Sequence, residues 1–132
     1  MEVKEQHTIL LQDRAELPPL LERHADFTVW ILYKVKKFPK DLRFSFGEYL
    51  SRNCFLIMDG LVEAFYSPRG IDRTKKLQEV SANIEKLRLH LRMAWKLKLI
   101  NASALHYSTE CLQQEGKMLG GWLRMEQENN KK

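Results

Sequence analysis

The sequence predicts an all-α protein, an up-and-down four-helix bundle, and three observations carry that prediction. Glycine and proline are scarce, six and four among 132 residues, and the prolines fall at only three points, 18–19, 39 and 68. Between those points apolar residues recur at helical spacing, clearest in Leu77, Val80, Ile84, Leu87, Leu91 and Ala94. The length suits one domain, since single domains run to about 100–150 residues and a chain of this size buries about two-thirds of its unfolded surface.

The elements follow from the punctuation. Residues 1–16 are weakly patterned, with one short apolar run at Thr8–Leu11, and are set apart from the bundle, which is expected over 17–126. Pro18 and Pro19 suit the opening of a first helix, because proline is tolerated in a first turn. That helix is expected to end near Phe38, before Pro39, since a residue preceding proline disfavours the α region. The second begins between Asp41 and Ser45. Ser45 and Glu48 have the spacing of a capping box, and Asp41 is the alternative cap. It ends near Tyr66, at the breaker Ser67-Pro68-Arg69-Gly70. Asp72 is the candidate cap of a third helix reaching about Ile100, and Asn101 or Ser103 caps a fourth reaching about Glu126. Residues 127–132 are expected to fray. The run Lys86–Met93 alternates polar and apolar like a strand, but it has no β-branched residue and is rich in leucine, arginine and lysine, so it reads as helix.

Three of these helices carry more apolar surface than one bundle can cover. Leu89, Met93 and Leu97 form a second stripe on the third helix, well round the cylinder from the first. Phe27 to Val35, with Trp30 and Tyr33, cannot all face one side, and the second helix holds Phe55-Leu56-Ile57-Met58. Apolar residues all round a helix mean burial all round, so subunits are expected to associate, with Trp30, Tyr33, Leu89, Met93 and Leu97 at the contact. Trp95 and Trp122 are expected in core or interface. In the fourth helix Gly116 and Gly120 are four apart. Each costs about 1 kcal/mol against alanine, which a close helix crossing would offset.

Charge is uneven. The net is +5 and the pI about 9.3, but by segment it is −3 over 1–33, +4 over 34–52, −2 over 53–68, +6 over 69–98 and 0 over 99–132. Concentrated cations suit a polyanion. Arg88, Arg92 and Lys96 are spaced i, i+4, i+8 and line one edge of a helix. Arg73, Lys75 and Lys76 cluster at the start of that helix and Lys98 stands near its end, while Lys37, Lys40, Arg43 and Arg52 belong to the other block. With Arg124 these are the candidate nucleic-acid-binding and partner-binding residues. No base-reading motif accompanies them, so binding would follow shape and charge.

Signs of catalysis are wanting. His7, His24, His90 and His106 fit no metal-ligand spacing, and no Glu-x-x-His pair, nucleophile elbow, phosphate loop or Cys-x-x-Cys occurs. No catalytic residue, metal or cofactor is expected. His24, beside Glu22 and Asp26, reads as helix surface. Glu63 reads as a buried acid paired with Arg43, Arg88 or Arg92. Cys54 and Cys111 read as reduced, buried thiols of a cytoplasmic protein. No run of about 18 apolar residues exists to cross a membrane.

Certain residues carry a resemblance. Phe38-Pro39-Lys40 followed by Arg43-Phe44, Gly47 and Leu50, then Glu63-Ala64-Phe65-Tyr66, then Gly116-Lys117-Met118-Leu119-Gly120-Gly121-Trp122-Leu123-Arg124, resembles in order and spacing the accessory variability determinant (Avd) proteins of diversity-generating retroelements, over roughly 17–125. The resemblance implies a four-helix bundle assembled as a homopentameric barrel with a basic surface and no catalytic site. It implies that the chain binds the element's reverse transcriptase together with template-repeat RNA and cDNA, supporting mutagenic retrohoming in which adenines are miscopied. The alternative is a structural or adaptor bundle of the related ribosomal intervening-sequence type, without nucleic-acid binding.

Overall fold

The computed structural model describes residues 18–130, which contain helix and turns only. The expected N-terminal segment 1–16 and the last two residues lie outside the described residues. Helix α1 spans Pro19–Lys36. A three-residue helix α2 (Lys40–Leu42) passes through a π-helical turn, Arg43–Gly47, into α3 (Glu48–Tyr66). Helix α4 spans Ile71–Lys96, and α5 spans Ala102–Asn130. The four long helices are those the sequence predicts, and Lys86–Met93 lies in the interior of α4. Packing runs round a square in the order α1, α3, α4, α5, so α1 faces α4 across one diagonal.

Each helix buries one stripe. Leu20, Phe27, Ile31 and Val35 of α1 meet Leu50, Ile57 and Leu61 of α3, Leu77, Val80, Ile84, Leu87 and Leu91 of α4, and Leu112 and Leu119 of α5. Most of these are fully buried, and a buried leucine or isoleucine contributes roughly 1.5–3 kcal/mol.

The helix ends correct several expectations. Pro39, with an extended ψ of 148°, precedes α2 and no side chain caps it, so neither Ser45 nor Asp41 is a cap. Ser45 Oγ instead donates back to the Asp41 carbonyl at 2.8 Å. Arg43 fills the gap, its Nε and Nη2 donating to the Phe38 carbonyl just beyond α1 at 3.2 and 3.1 Å. Gly70, at φ 126°, precedes α4, and Asp72 lies within the first turn without capping it. Asn101 does cap α5, its Oδ1 accepting from the Ala104 N–H at 2.8 Å. Helix α4 stops at Lys96 rather than near Ile100, because Lys98 adopts φ 62°. The Leu99 N–H reaches the Ala94 carbonyl and the Lys98 N–H the Trp95 carbonyl, each at 2.9 Å. This is a Schellman closure with lysine where glycine usually stands. Helix α5 continues to Asn130, through the residues expected to fray, and Asn130 Nδ2 donates to Thr74 Oγ1 at 3.1 Å.

The glycines of closest approach are not the pair at 116 and 120. A methyl group at Gly60 would lie 2.6 Å from Val80 Cγ2, and one at Gly47 2.8 Å from Val35 Cγ1, so the α3–α4 crossing and the packing of the π-helical turn on α1 depend on these two. At Gly116 a methyl would meet nothing within 4 Å. No close crossing uses that position within the described residues.

Candidate nucleic-acid interface

In an up-and-down bundle alternate connections share an end. The α1–α2 and α4–α5 connections lie at one end, here the distal end. The α3–α4 turn lies at the other, basal end. The distal end therefore gathers Lys34, Lys36, Lys37, Lys40 and Arg43 from one connection and Arg92, Lys96 and Lys98 from the other. Over 34–47 and 90–109 the only acid is Asp41. Two blocks separate in sequence converge because the topology folds them together.

The candidate cations divide by what they already hold. Arg73 is committed. Its side chain is 13% exposed, and it donates from Nη1 to Glu126 Oε1 at 3.0 Å. It also donates to the carbonyls of Ala64, Phe65 and Ser67 at 2.8, 2.8 and 2.7 Å. Those carbonyls belong to the end of α3, where helix geometry leaves carbonyls short of partners; the Ala64 carbonyl also accepts from the Ser67 N–H at 3.3 Å. Arg73 is thus a basal clasp, engaged within the chain. Arg43 is half-buried and tied to Phe38, with its guanidinium 5.9 Å from the Phe44 ring centre. Arg52 pairs with Glu48 at 3.7 Å and Lys76 with Glu63 at 3.5 Å, all at exposed positions where such pairs contribute little. Arg88 reaches Glu85 at 3.5 Å. Lys37, Lys40, Arg92, Lys96 and Lys98 are exposed and make no ion pair among the described residues. Lys75 and Arg124 are exposed too, but both sit toward the basal end, Arg124 beside Gly120 and Gly121.

Beside the distal cations a cleft of about 140 Å³ opens between α4 and α5, lined by Glu85, Arg88, Leu89, Arg92 and Thr109. A second, of about 350 Å³, lies between α1 and α5 and includes Arg23, Tyr107, Cys111 and Lys117. There a hydrogen bond donated to Cys111 pushes the Tyr107 hydroxyl up from its ordinary value.

The expected contact residues separate as well. Tyr33, Leu89, Met93 and Leu97 are 64, 59, 48 and 49% exposed, so this apolar surface is uncovered in the single chain. Trp30 is half-buried, stacked on Phe27 at 5.8 Å and tilted against Tyr107 at 4.8 Å, with Lys34 Nζ 5.3 Å above it.

Sequence reasoning missed the buried acids. Glu63 is exposed; the buried ones are Glu115 and Glu126. His24 is fully buried rather than at the surface. Its Nδ1 lies 2.6 Å from Glu115 Oε1 and its Nε2 2.8 Å from the Cys54 carbonyl. That carbonyl only accepts, so Nε2 carries a hydrogen, and a further hydrogen lies between Nδ1 and Oε1. The network joins α1, α3 and α5 at mid-height. Burial, and secondarily the Glu115 charge, push the Cys54 thiol up to about 12, which leaves it unreactive, whereas Cys111 is half-exposed.

Fold and surface together define the class: an up-and-down four-helix bundle with a group of exposed cations, unpaired among the described residues, at its distal end. Among the described residues no three histidine, cysteine or acidic side chains group to hold a metal, and no helix is long and apolar enough to cross a membrane. The family model described as bAvd-like matches residues 20–126, and the chain belongs to that family of Avd-type accessory proteins. No curated protein and no solved structure matches the chain.

Proposed function

We propose that this chain is a non-catalytic accessory subunit of a diversity-generating retroelement. In this reading it works in the cytoplasm as a ring-like homo-oligomer, a pentamer by family resemblance. It binds the element's reverse transcriptase and template RNA or cDNA through its basic surface, and so supports adenine-directed mutagenic retrohoming. The observation that carries the reading is the convergence at the distal end of Lys37, Lys40, Arg92, Lys96 and Lys98, none of them held in an ion pair within the described chain. A cation already engaged, such as Arg73, has given four of its five N–H donors to partners within the chain; these make no ion pair there. The exposed stripe Leu89, Met93, Leu97 supports association, since about 1 kcal/mol is recovered for each 40 Å² of apolar surface covered.

The test is RNA binding against salt, on protein whose assembly mass is measured in the same buffer. Log affinity should fall linearly with log salt, by about 0.7 for each single-stranded phosphate neutralised. Reversing Arg92, Lys96 and Lys98 to glutamate should abolish binding and leave the melting temperature near that of the parent. Co-purification with the reverse transcriptase tests the protein partner. Absence of RNA binding at low salt would overturn the nucleic-acid part of the reading.

A further inference from the structure

The distal end holds one residue that charge alone does not account for. Trp95, expected in core or interface, is 44% exposed. Among the described residues no ring packs on it and no acceptor takes its indole N–H, in contrast to Trp30, which stacks on Phe27 and packs tilted against Tyr107. Exposed tryptophan is costly to leave bare, and its N–H ordinarily finds a partner when the ring is buried.

Its neighbours point to an occupant. At 100° per residue Arg88, Arg92 and Trp95 fall within about 60° of one another on α4. Arg88 and Arg92 line the α4–α5 cleft with Leu89 of α4, Thr109 of α5 and, at its mid-helix end, Glu85, which reaches Arg88 at 3.5 Å across an exposed pair that a phosphate can displace. Trp95 continues that furrow toward the distal turn, where Lys98 follows. No acid occurs between Glu85 and Glu110. A furrow with guanidinium groups on successive turns, then a bare indole face, then another cation, offers phosphate contacts alternating with a stacking platform. Duplex hides its base faces; a single strand presents them.

We infer that the α4–α5 furrow is a single-strand site, in which one base stacks on Trp95 while Arg88 and Arg92 hold adjoining backbone phosphates. The inference rests on the nucleic-acid reading above and narrows it to unpaired strands and to this face. Leu89 of the apolar stripe lines the furrow, while Met93 and Leu97 are not among its lining residues.

The experiment titrates the full-length protein with a 12-nucleotide single-stranded RNA and with the duplex of the same sequence, at low salt, following tryptophan fluorescence and anisotropy. Single strand should quench the fluorescence and bind more tightly than duplex. Trp95→Phe should lose the quench and keep most of the affinity. Trp95→Ala should weaken single-strand binding by between about fivefold and 150-fold, the range for one base–aromatic stack, with assembly mass and melting temperature unchanged. Equal binding of the two RNAs, with Trp95→Ala at parental affinity, would overturn the inference while leaving the broader nucleic-acid reading standing. Failure of the parent protein to bind either RNA would remove both. A change of assembly mass in Trp95→Ala would assign the residue to a contact with a second copy and overturn the single-strand site.

Discussion

The two ends of the bundle use the same residue types in opposite ways. At the basal end Arg73 spends its guanidinium on three carbonyls and one carboxylate, with both side chains of the pair nearly buried. At the distal end Arg92 makes no ion pair among the described residues and faces solvent. An arginine's role is set by what surrounds it at the end of a helix, not by its place in a basic run. The basal clasp holds α3, α4 and α5 together; the distal cations make no ion pair among the described residues.

The sharpest way to break this contrast is to exchange the two arginines' fates. Arg73→Ala leaves Glu126 buried without its partner and the carbonyls of Phe65 and Ser67 without theirs. It should lower stability by about 3–5 kcal/mol, read by chemical or thermal unfolding. Arg73→Lys should recover only part of that, because an ammonium cannot reproduce the planar fork. Arg92→Ala should change stability by less than about 0.5 kcal/mol and instead flatten the salt dependence of RNA binding. Equal destabilisation by the two alanines would erase the distinction.

A second contrast sets the tight glycines against the open ones. Gly60→Ala drives a methyl to 2.6 Å from Val80 Cγ2 and should destabilise by about 1–3 kcal/mol, the range for overpacking. Gly116→Ala adds a methyl into open space and should stabilise the chain by about 1 kcal/mol through helix propensity. If that variant also loses assembly mass, Gly116 serves an approach by another copy, which is where the spacing with Gly120 acquires a purpose.

The closure of α4 gives a smaller effect of mixed sign. Lys98 holds a left-handed conformation that costs a side-chain-bearing residue roughly 1–2 kcal/mol. Lys98→Gly should therefore raise the melting temperature while weakening RNA binding. A variant that gained stability and bound RNA as before would take Lys98 out of the interface.

Much of the fold was legible because local signals and packing agree. Prolines 18, 39 and 68 sit where helices begin or break, the stripe Leu77 to Ala94 is the buried face of α4, and Asn101 caps α5. The misread ends were those where no side-chain cap operates. Arg43 and Arg73 serve helix ends from a distance, through contacts nine or fewer residues away that no spacing rule anticipates. His24 looked like surface because its sequence neighbours are charged; its partner Glu115 lies 91 positions on. A helical 3.6-residue count from Leu20, Phe27 and Ile31 places His24 on their face, and that was the available signal. The candidate interface was legible as two basic blocks, but not which cations were already engaged, since this depends on tertiary partners.

The smallest effect probes the distal end by pH. His90 sits on the α3 side of α4, edge-on to Tyr49 at 5.0 Å, with Asn53 Nδ2 donating to its Nδ1 at 2.9 Å. Burial, and secondarily the charge of Lys86, hold its pKa below the ordinary 6.5. Protonation is thus harder in the folded chain than in the unfolded one. The stability this residue contributes is fully present above pH 6.5 and is lost as pH falls through the lower, folded value. The imidazole titration, followed by NMR, should have its midpoint below 6.5, and Lys86→Gln should move it upward by removing a like charge. A midpoint indifferent to Lys86 would mean that solvent screens the distal cations from one another. The crowding of uncompensated charge that separates this end from the basal one would then carry no electrostatic weight.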